Sequence, residues 1–271
     1  MATNEIVDLD KYFERIRWGG PTAPSYATLA GILEAHMSAI PFENVDVLLG
    51  RGIRIDVEGL QAKLVSARRG GYCYEHATLL GAVLDRLGFS PVRHLARVVM
   101  IVPRTVAARG HMFLTVPLPE GTFAVDPGFG ALAPRIPVPV VDRKEASAGR
   151  ETHWLEREGQ YWTLKMRAND VVSDCWATTF EAENPGDFAV ANHYTSTHPE
   201  SAFVNRIMMR VLIPRGRVTV HNRDVTITRD GVAVASQLAD RKALRELLAT
   251  HFGFDLPEVE ALRVPAIPEW E

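Results

Sequence analysis

The hydrophobic period of this chain changes once, near residue 90, and that change restricts the folds open to it. Before it, apolar residues recur at helical spacing. From Ser25 to Ala39 they fall at Leu29, Ile32, Leu33, Met37 and Ile40, and Pro41 stops the pattern. Asp56 is placed to cap a second helix carrying Leu60, Leu64 and Val65, which Gly70-Gly71 would end. A third helix would start near Cys73, bury Leu79, Leu80, Val83, Leu84 and Leu87, and stop at Gly88. After it, the segments around 92–102, 112–118 and 122–125 are β-branched and apolar, with Gly and Pro between them. Three prolines in 134–141 make that stretch an extended connector rather than a central strand. Segments 153–157 and 161–167 read as a hairpin across Glu158-Gly159-Gln160.

The last third is mixed. A short helix is expected over 187–194, after Asn184-Pro185-Gly186. Short strands are expected over 218–220, 225–228 and 232–235, with a turn at Asp230-Gly231. Asp240 would cap a closing helix through Leu244, Leu247, Leu248 and Phe252, with Gly253 behind it. Helices, then strands, then a mixed segment indicate α+β rather than an alternating parallel sheet.

Composition narrows the function. With 46% hydrophobic and 23% charged residues, the 271-residue chain has the make-up of a soluble globular protein of one or two domains. A net charge of −3 gives no electrostatic case for a nucleic-acid partner. No apolar run approaches the roughly 18 residues that suggest a membrane span. The acidic, amphipathic start MATNEIVDLDKYFERI is unlike a secretory signal. Two distant cysteines form no disulfide framework, so a cytoplasmic location is expected.

Chemistry concentrates at Arg69-Gly70-Gly71-Tyr72-Cys73-Tyr74-Glu75-His76. A double glycine lets the backbone turn and approach closely, and helix N-terminal amides favour a thiolate. A cysteine there is also where a small buried hydrophobe packs. Cys175, without glycines or a helix start, is assigned that inert role. His111 opens an apolar strand, and Asp126 stands at a strand end before proline. Each alone has an ordinary structural reading, as a satisfied histidine or a turn aspartate. Together the three supply a nucleophile, a base and a group to orient the base. If 111–116 and 122–126 are neighbouring antiparallel strands, His111 and Asp126 meet at one end of the sheet. Cys73-x-x-His76 is half a zinc site, but no second Cys/His pair stands at ligand spacing, so no metal is expected. Gly128-Phe129-Gly130 lacks the strand–glycine–helix context of a dinucleotide fingerprint.

At this level of detail the chain resembles the arylamine N-acetyltransferase family over most of its length. The resemblance rests on the segment Ile40–Arg51 and the Arg-Gly-Gly-x-Cys core at 69–73 with Glu75. It extends to His111-Met112-Phe113-Leu114, Val125-Asp126-Pro127-Gly128-Phe129-Gly130 and the late stretch from Ser196 to Asn205. It implies a helical N-terminal domain (1–90) bearing Cys73 and a β-barrel (91–186) bearing His111 and Asp126. An interdomain helix and smaller α/β lid domain (187–271) would follow. The core would be the cysteine-protease-like Cys-His-Asp triad of Cys73, His111 and Asp126. It further implies acetyl-CoA as co-substrate, an arylamine or arylhydrazine acceptor, a role in xenobiotic metabolism, and a monomer or homodimer. Phe42, Val99 and Phe129 would line the acceptor pocket, and Gly128, Phe129 and Gly130 would lie beside the acetyl group and the cofactor's arm. Glu43 and Arg69 would form a structural pair behind the nucleophile loop. The chain departs from the family at His76-Ala77, where an asparagine is common soon after the loop's glutamate, and at Pro127, where valine is common. The same triad order also serves thiol proteases, transglutaminase-like enzymes and amide synthases acting on other acyl donors. A non-catalytic small-molecule-binding protein with an unpoised triad is the remaining alternative.

Overall fold

Ser25 marks where a helix starts: its side-chain oxygen accepts from the Thr28 amide and opens α2 (Tyr26–Ala39). Asp8 does the same for α1 (Leu9–Ile16) through the Lys11 amide. Each satisfies a donor that a helix start leaves free. The computed structural model describes residues 7–270. Part of the N-terminal stretch read for a secretory signal, residues 1–6, lies outside them. A single turn, α3 (Val45–Leu48), follows. Asp56 then caps α4 (Val57–Leu60), which runs on as a π-helical stretch over Gln61–Ser66.

Gly70-Gly71 does not end that helix. It stops at Ser66, and the left-handed residue behind it is Arg68, with φ 55°. The glycines are instead required by close packing. A Cβ on Gly70 would stand 2.2 Å from the Pro41 carbonyl oxygen, and one on Gly71 would stand 2.6 Å from a Glu75 carboxylate oxygen. The chain passing through this gap enters α5 (Cys73–Arg86), which ends at Gly88 with φ 84°. Leu79, Leu80, Val83 and Leu84 of α5 are fully buried, each contributing about 1.5–3 kcal/mol of apolar burial.

The central strands are β1 (Val92–Val98), β2 (His111–Leu118), β3 (Gly121–Val125), β4 (Val138–Pro139), β5 (Ala146–Ala148), β6 (Glu151–Glu158), β7 (Tyr161–Ala168) and β8 (Val171–Thr178). They pair antiparallel in the order β4-β3-β2-β1-β8-β7-β6-β5. The sheet curls until Asp142, beyond β4, bridges Leu155 of β6, giving a nearly closed barrel. The proline-rich connector contributes only the two-residue β4, as its missing amides dictate. β1 ends at Val98, so 99–102 are not strand, while the 151–168 hairpin is longer than its apolar pattern suggested.

α6 (Pro185–Thr197) and α7 (Ala202–Asn205) lead to a second antiparallel sheet. It runs β12-β11-β10-β9, from β9 (Met208–Ile213), β10 (Gly216–His221), β11 (Asp224–Arg229) and β12 (Val232–Gln237). α8 (Arg241–Leu247) is capped by Asp240 and packs Leu244 with Val218, Val220 and Trp270. Separate apolar clusters fill the helical part, the barrel and this second sheet, which is the α+β arrangement. Among the described residues, no helix is long and apolar enough to cross a membrane. Residues 41–43 stitch the parts together. Phe42 exchanges backbone hydrogen bonds of 2.9 and 2.8 Å with Arg210 of β9, and the Glu43 amide donates to Gly71 at 2.9 Å.

Candidate active site

Cys73 is the first residue of α5 and is buried. The turn before it is fixed by charge. Glu75 accepts from the Tyr72 amide at 3.0 Å and pairs with Lys63 at 2.7 Å. Lys63 also meets Asp46 at 2.9 Å, and Asp46 meets Arg69 at 3.2 Å. Arg69 reaches Glu43 at 2.8 Å, whose second oxygen accepts from the Val45 amide at 2.7 Å. Burial pushes the Glu75 carboxyl up, against the opposing pull of Lys63. Asp46 is also buried, yet Lys63 and Arg69 hold it below its ordinary value. The Glu43–Arg69 pair is therefore one link in an ionic network beneath the loop, which Arg51 joins through Asp46 at 3.2 Å.

The β2–β3 register sets Leu114 opposite Val125, so Asp126 follows opposite Phe113. His111, two residues from Phe113, lies diagonally across on the same face. Its Nε2 stands 2.8 Å from Asp126 Oδ2, and both side chains are buried. A carboxylate only accepts, so Nε2 carries the proton. The Cys73 thiol is close enough to act on this imidazole as well. Burial alone would push the His111 pKa down. The charge and hydrogen bond of Asp126, then those of Cys73, outweigh burial and raise it to about 10.

Asp126 is held by more than His111. Trp176 Nε1 donates to the same Oδ2 at 2.8 Å, and the Gly128 amide donates to Oδ1 at 3.1 Å. Pro127 between them has no amide to offer. Trp176 is fully buried and stacks on Phe113, with ring centroids 4.3 Å apart. Sequence reasoning did not single out Trp176. The β7–β8 register jumps from Leu164–Trp176 to Lys165–Asp174, leaving Cys175 as an extra bulged residue. Such a bulge breaks alternation and re-aims the next side chain. The strand pattern that would have flagged Trp176 is thereby erased. Cys175 is itself fully buried, its thiol pushed up to about 12 by burial and then by Asp126 and Asp174.

The loop after Asp126 closes over the cysteine. A Cβ on Gly128 would stand 2.5 Å from Cys73 Cα, so only glycine lets this backbone lie against the helix start. The Phe129 ring meets His111 edge-on, at 4.9 Å between centroids. Gly130 is left-handed, φ 60°, and the Phe42 ring lies 3.3 Å from where its Cβ would be. Phe42, Gly128, Phe129 and Gly130 thus gather round Cys73 and His111. Val99 sits just past β1, its amide donating to Cys175 beside Trp176. The late stretch 196–205 braces the loop from behind. Phe203 meets Tyr72 at 5.3 Å, and its carbonyl accepts from Asn44 at 2.8 Å. Ala77 is fully buried, and His76 hydrogen-bonds inward to His36 and Pro41. Among the described residues, no group of three or more His, Cys, Asp or Glu side chains is arranged to hold a metal ion.

A cysteine at a helix start thus lies close to a histidine–aspartate pair carried by a curled antiparallel sheet. Comparison with known proteins gives the family. Residues 25–261 match the N-acetyltransferase family model. The chain is 33% identical to the arylamine N-acetyltransferase of Mycobacterium tuberculosis, over 93% of this chain and 91% of that one. It is 34% identical to that of Mycolicibacterium smegmatis, over 96% of both. The solved Mycobacterium marinum arylamine N-acetyltransferase superposes with a TM-score of 0.89 at 33% identity, over 93% of this chain and 94% of that one. The same enzyme in complex with CoA superposes with a TM-score of 0.88. This chain belongs to the arylamine N-acetyltransferase family.

Proposed function

We propose that this protein moves an acetyl group from acetyl-CoA to an arylamine or arylhydrazine through an acetyl-Cys73 intermediate. The observation that carries the reading is the 2.8 Å His111–Asp126 hydrogen bond beside Cys73 at the start of α5, whose thiol acts on the same imidazole. The relatives' arylamine N-acetyltransferase names and the CoA complex of the M. marinum enzyme support the choice of donor and acceptor.

In the first half-reaction His111, as imidazolium, holds the proton drawn from the thiol, and the Cys73 sulfur attacks the thioester carbonyl. The carbon–sulfur bond to CoA breaks, and the CoA thiolate leaves with the proton returned by the imidazolium. In the second, the acceptor nitrogen attacks the acetyl thioester, His111 takes the amine proton, and Cys73 is released. Asp126 keeps the imidazole in one tautomer and stabilises its charged form. The amides that a helix start leaves without intrahelical partners, here at the start of α5, would steady the oxyanion. Phe42 and Phe129 offer flat apolar walls to an aryl ring, and the buried site keeps water from the thioester.

Intact-protein mass spectrometry after mixing with acetyl-CoA tests this. One added acetyl group is expected on the native chain and none on Cys73→Ala. The adduct should discharge on adding an arylamine or arylhydrazine. An adduct persisting on Cys73→Ala would remove Cys73 from the chemistry.

A further inference from the structure

The turn that carries Phe129 is gripped at alternate residues, by Asp126 at its own start and by side chains from β9 and β6. Gly128 is held through its amide by Asp126, as above. At Gly130 the carbonyl accepts from Arg210 Nη1 of β9 at 2.5 Å. At Leu132 the carbonyl faces His153 Nε2 of β6 at 3.0 Å. A carbonyl only accepts, so His153 carries its proton on Nε2. Both gripping side chains are buried, Arg210 at 5% exposure and His153 at 1%.

Arg210 is an unusual residue to find there. Among the described residues no carboxylate pairs with it, and its Nε is buried without a partner. Burial, and then the neighbouring Arg217, push its pKa down to about 10, against the upward pull of the Glu151 and Asp126 carboxylates. A buried cation with no carboxylate in direct contact opposes folding, and an apolar side chain of similar volume would commonly be at least as stable. Its backbone is already fixed by the two hydrogen bonds to Phe42, so the guanidinium is not needed to join β9 to the helical part. What it adds is a charge-assisted hydrogen bond to one carbonyl, next to the ring that meets His111. Phe129 stands between two pinned residues, and Phe42 packs on one of them.

We infer that Arg210 and His153 are positioning residues for acceptor selection, holding the 128–132 turn so that Phe129 and Phe42 form a slot for a flat aryl ring. This rests on the acetyltransferase reading above and adds the residues that set its specificity. Neither acts on the acetyl group. Losing the grip leaves Cys73, His111 and Asp126 in place but lets the Phe129 wall drift, so the second half-reaction suffers more than the first.

The test compares Arg210→Met, Arg210→Lys, His153→Leu and His153→Gln with the native chain in two measurements. One is the rate of acetyl-Cys73 formation with acetyl-CoA. The other is kcat/KM for an arylhydrazine, normalised to slow hydrolysis of the acetyl-enzyme by water. In Arg210→Met the normalised acceptor step should fall about tenfold further than acetyl-enzyme formation, the size expected for one charge-assisted hydrogen bond. Arg210→Lys and His153→Gln, which keep a donor, should recover most of the loss, and His153→Leu should not. Should Arg210→Met fail to fold, His153→Leu and Arg210→Lys carry the same comparison. Equal losses in both half-reactions, or no change in the acceptor step, would overturn the inference. A native chain that forms no acetyl adduct would overturn the acetyltransferase reading instead, so the two failures are distinct.

Discussion

Trp176 and Asp126 are joined by a 2.8 Å hydrogen bond that ends on the same carboxylate oxygen as His111. The indole fixes the carboxylate from the barrel interior, so the imidazole meets an acceptor that cannot swing away. Trp176→Phe keeps the stacking on Phe113 but removes the donor. Turnover should drop about 10- to 100-fold, the worth of a hydrogen bond to a charged group, and the melting temperature should fall too, because a buried carboxylate loses a donor. Steady-state kinetics beside a melting curve would check it, and unchanged turnover would show the indole to be packing alone.

Replacing Asp126 by Asn exchanges an acceptor for a side chain that can present a donor to His111. The imidazole then loses its tautomer and its charge stabilisation. Turnover is expected to fall by roughly three to four orders of magnitude. The rate of Cys73 alkylation by iodoacetamide at pH 7 should fall with it, and a variant alkylated as fast as the native chain would contradict the role given to Asp126.

Arg69 is clamped between Glu43 and Asp46 under the nucleophile loop. Arg69→Met leaves two buried carboxylates short of a cation. Breaking a buried pair on one side costs about 3–5 kcal/mol, which for a chain of this size lowers the melting temperature by on the order of 10 °C. Differential scanning calorimetry gives the answer directly, and an unshifted melt would mean the network is dispensable.

Acid should destabilise this protein through its buried histidines. Tyr12 OH meets His36 Nδ1 at 2.8 Å, His36 Nε2 meets His76 Nδ1 at 2.8 Å, and His76 Nε2 faces the Pro41 carbonyl at 3.2 Å. The carbonyl fixes the proton on His76 Nε2, so His36 donates to His76 and Tyr12 donates to His36. Both rings are neutral in this chain of bonds. Burial, then the adjacent positive groups, hold His36 well below 6.5, and burial holds His76 down to about 4. The unfolded chain therefore binds more protons than the folded one between about pH 6.5 and 4, and stability is lost as pH falls through that window. His111 has the opposite sign: raised to about 10, its contribution is present below pH 6.5 and is lost as pH rises toward 10. Melting temperature should peak near neutrality, and His76→Gln should flatten the acid side. An acid limb of unchanged slope in that variant would assign the loss to other groups.

Much of this was legible in the residues themselves. Ser25, Asp56 and Asp240 cap helices because a short oxygen-bearing side chain satisfies free amides wherever it falls, a local matter needing no tertiary partner. Gly88 and Gly253 end helices for an equally local reason, a backbone angle other residues avoid. The positions of Cys73, His111 and Asp126 at element ends could likewise be read from period and punctuation. Gly70-Gly71 reads as a helix stop in the sequence because the demand on those glycines comes from Pro41 and Glu75, which only folding brings near. Trp176 escaped notice because a bulge at Cys175 destroys the alternation that would have pointed it inward. Arg210 and His153 carry no motif at all. They bind carbonyls of a turn that is distant in sequence, and a carbonyl looks the same at every residue. Sequence by itself decided the local elements and which chemical groups were available. The tertiary structure decided which groups meet in low dielectric, and there meeting a partner or not is worth several kcal/mol to each buried charge.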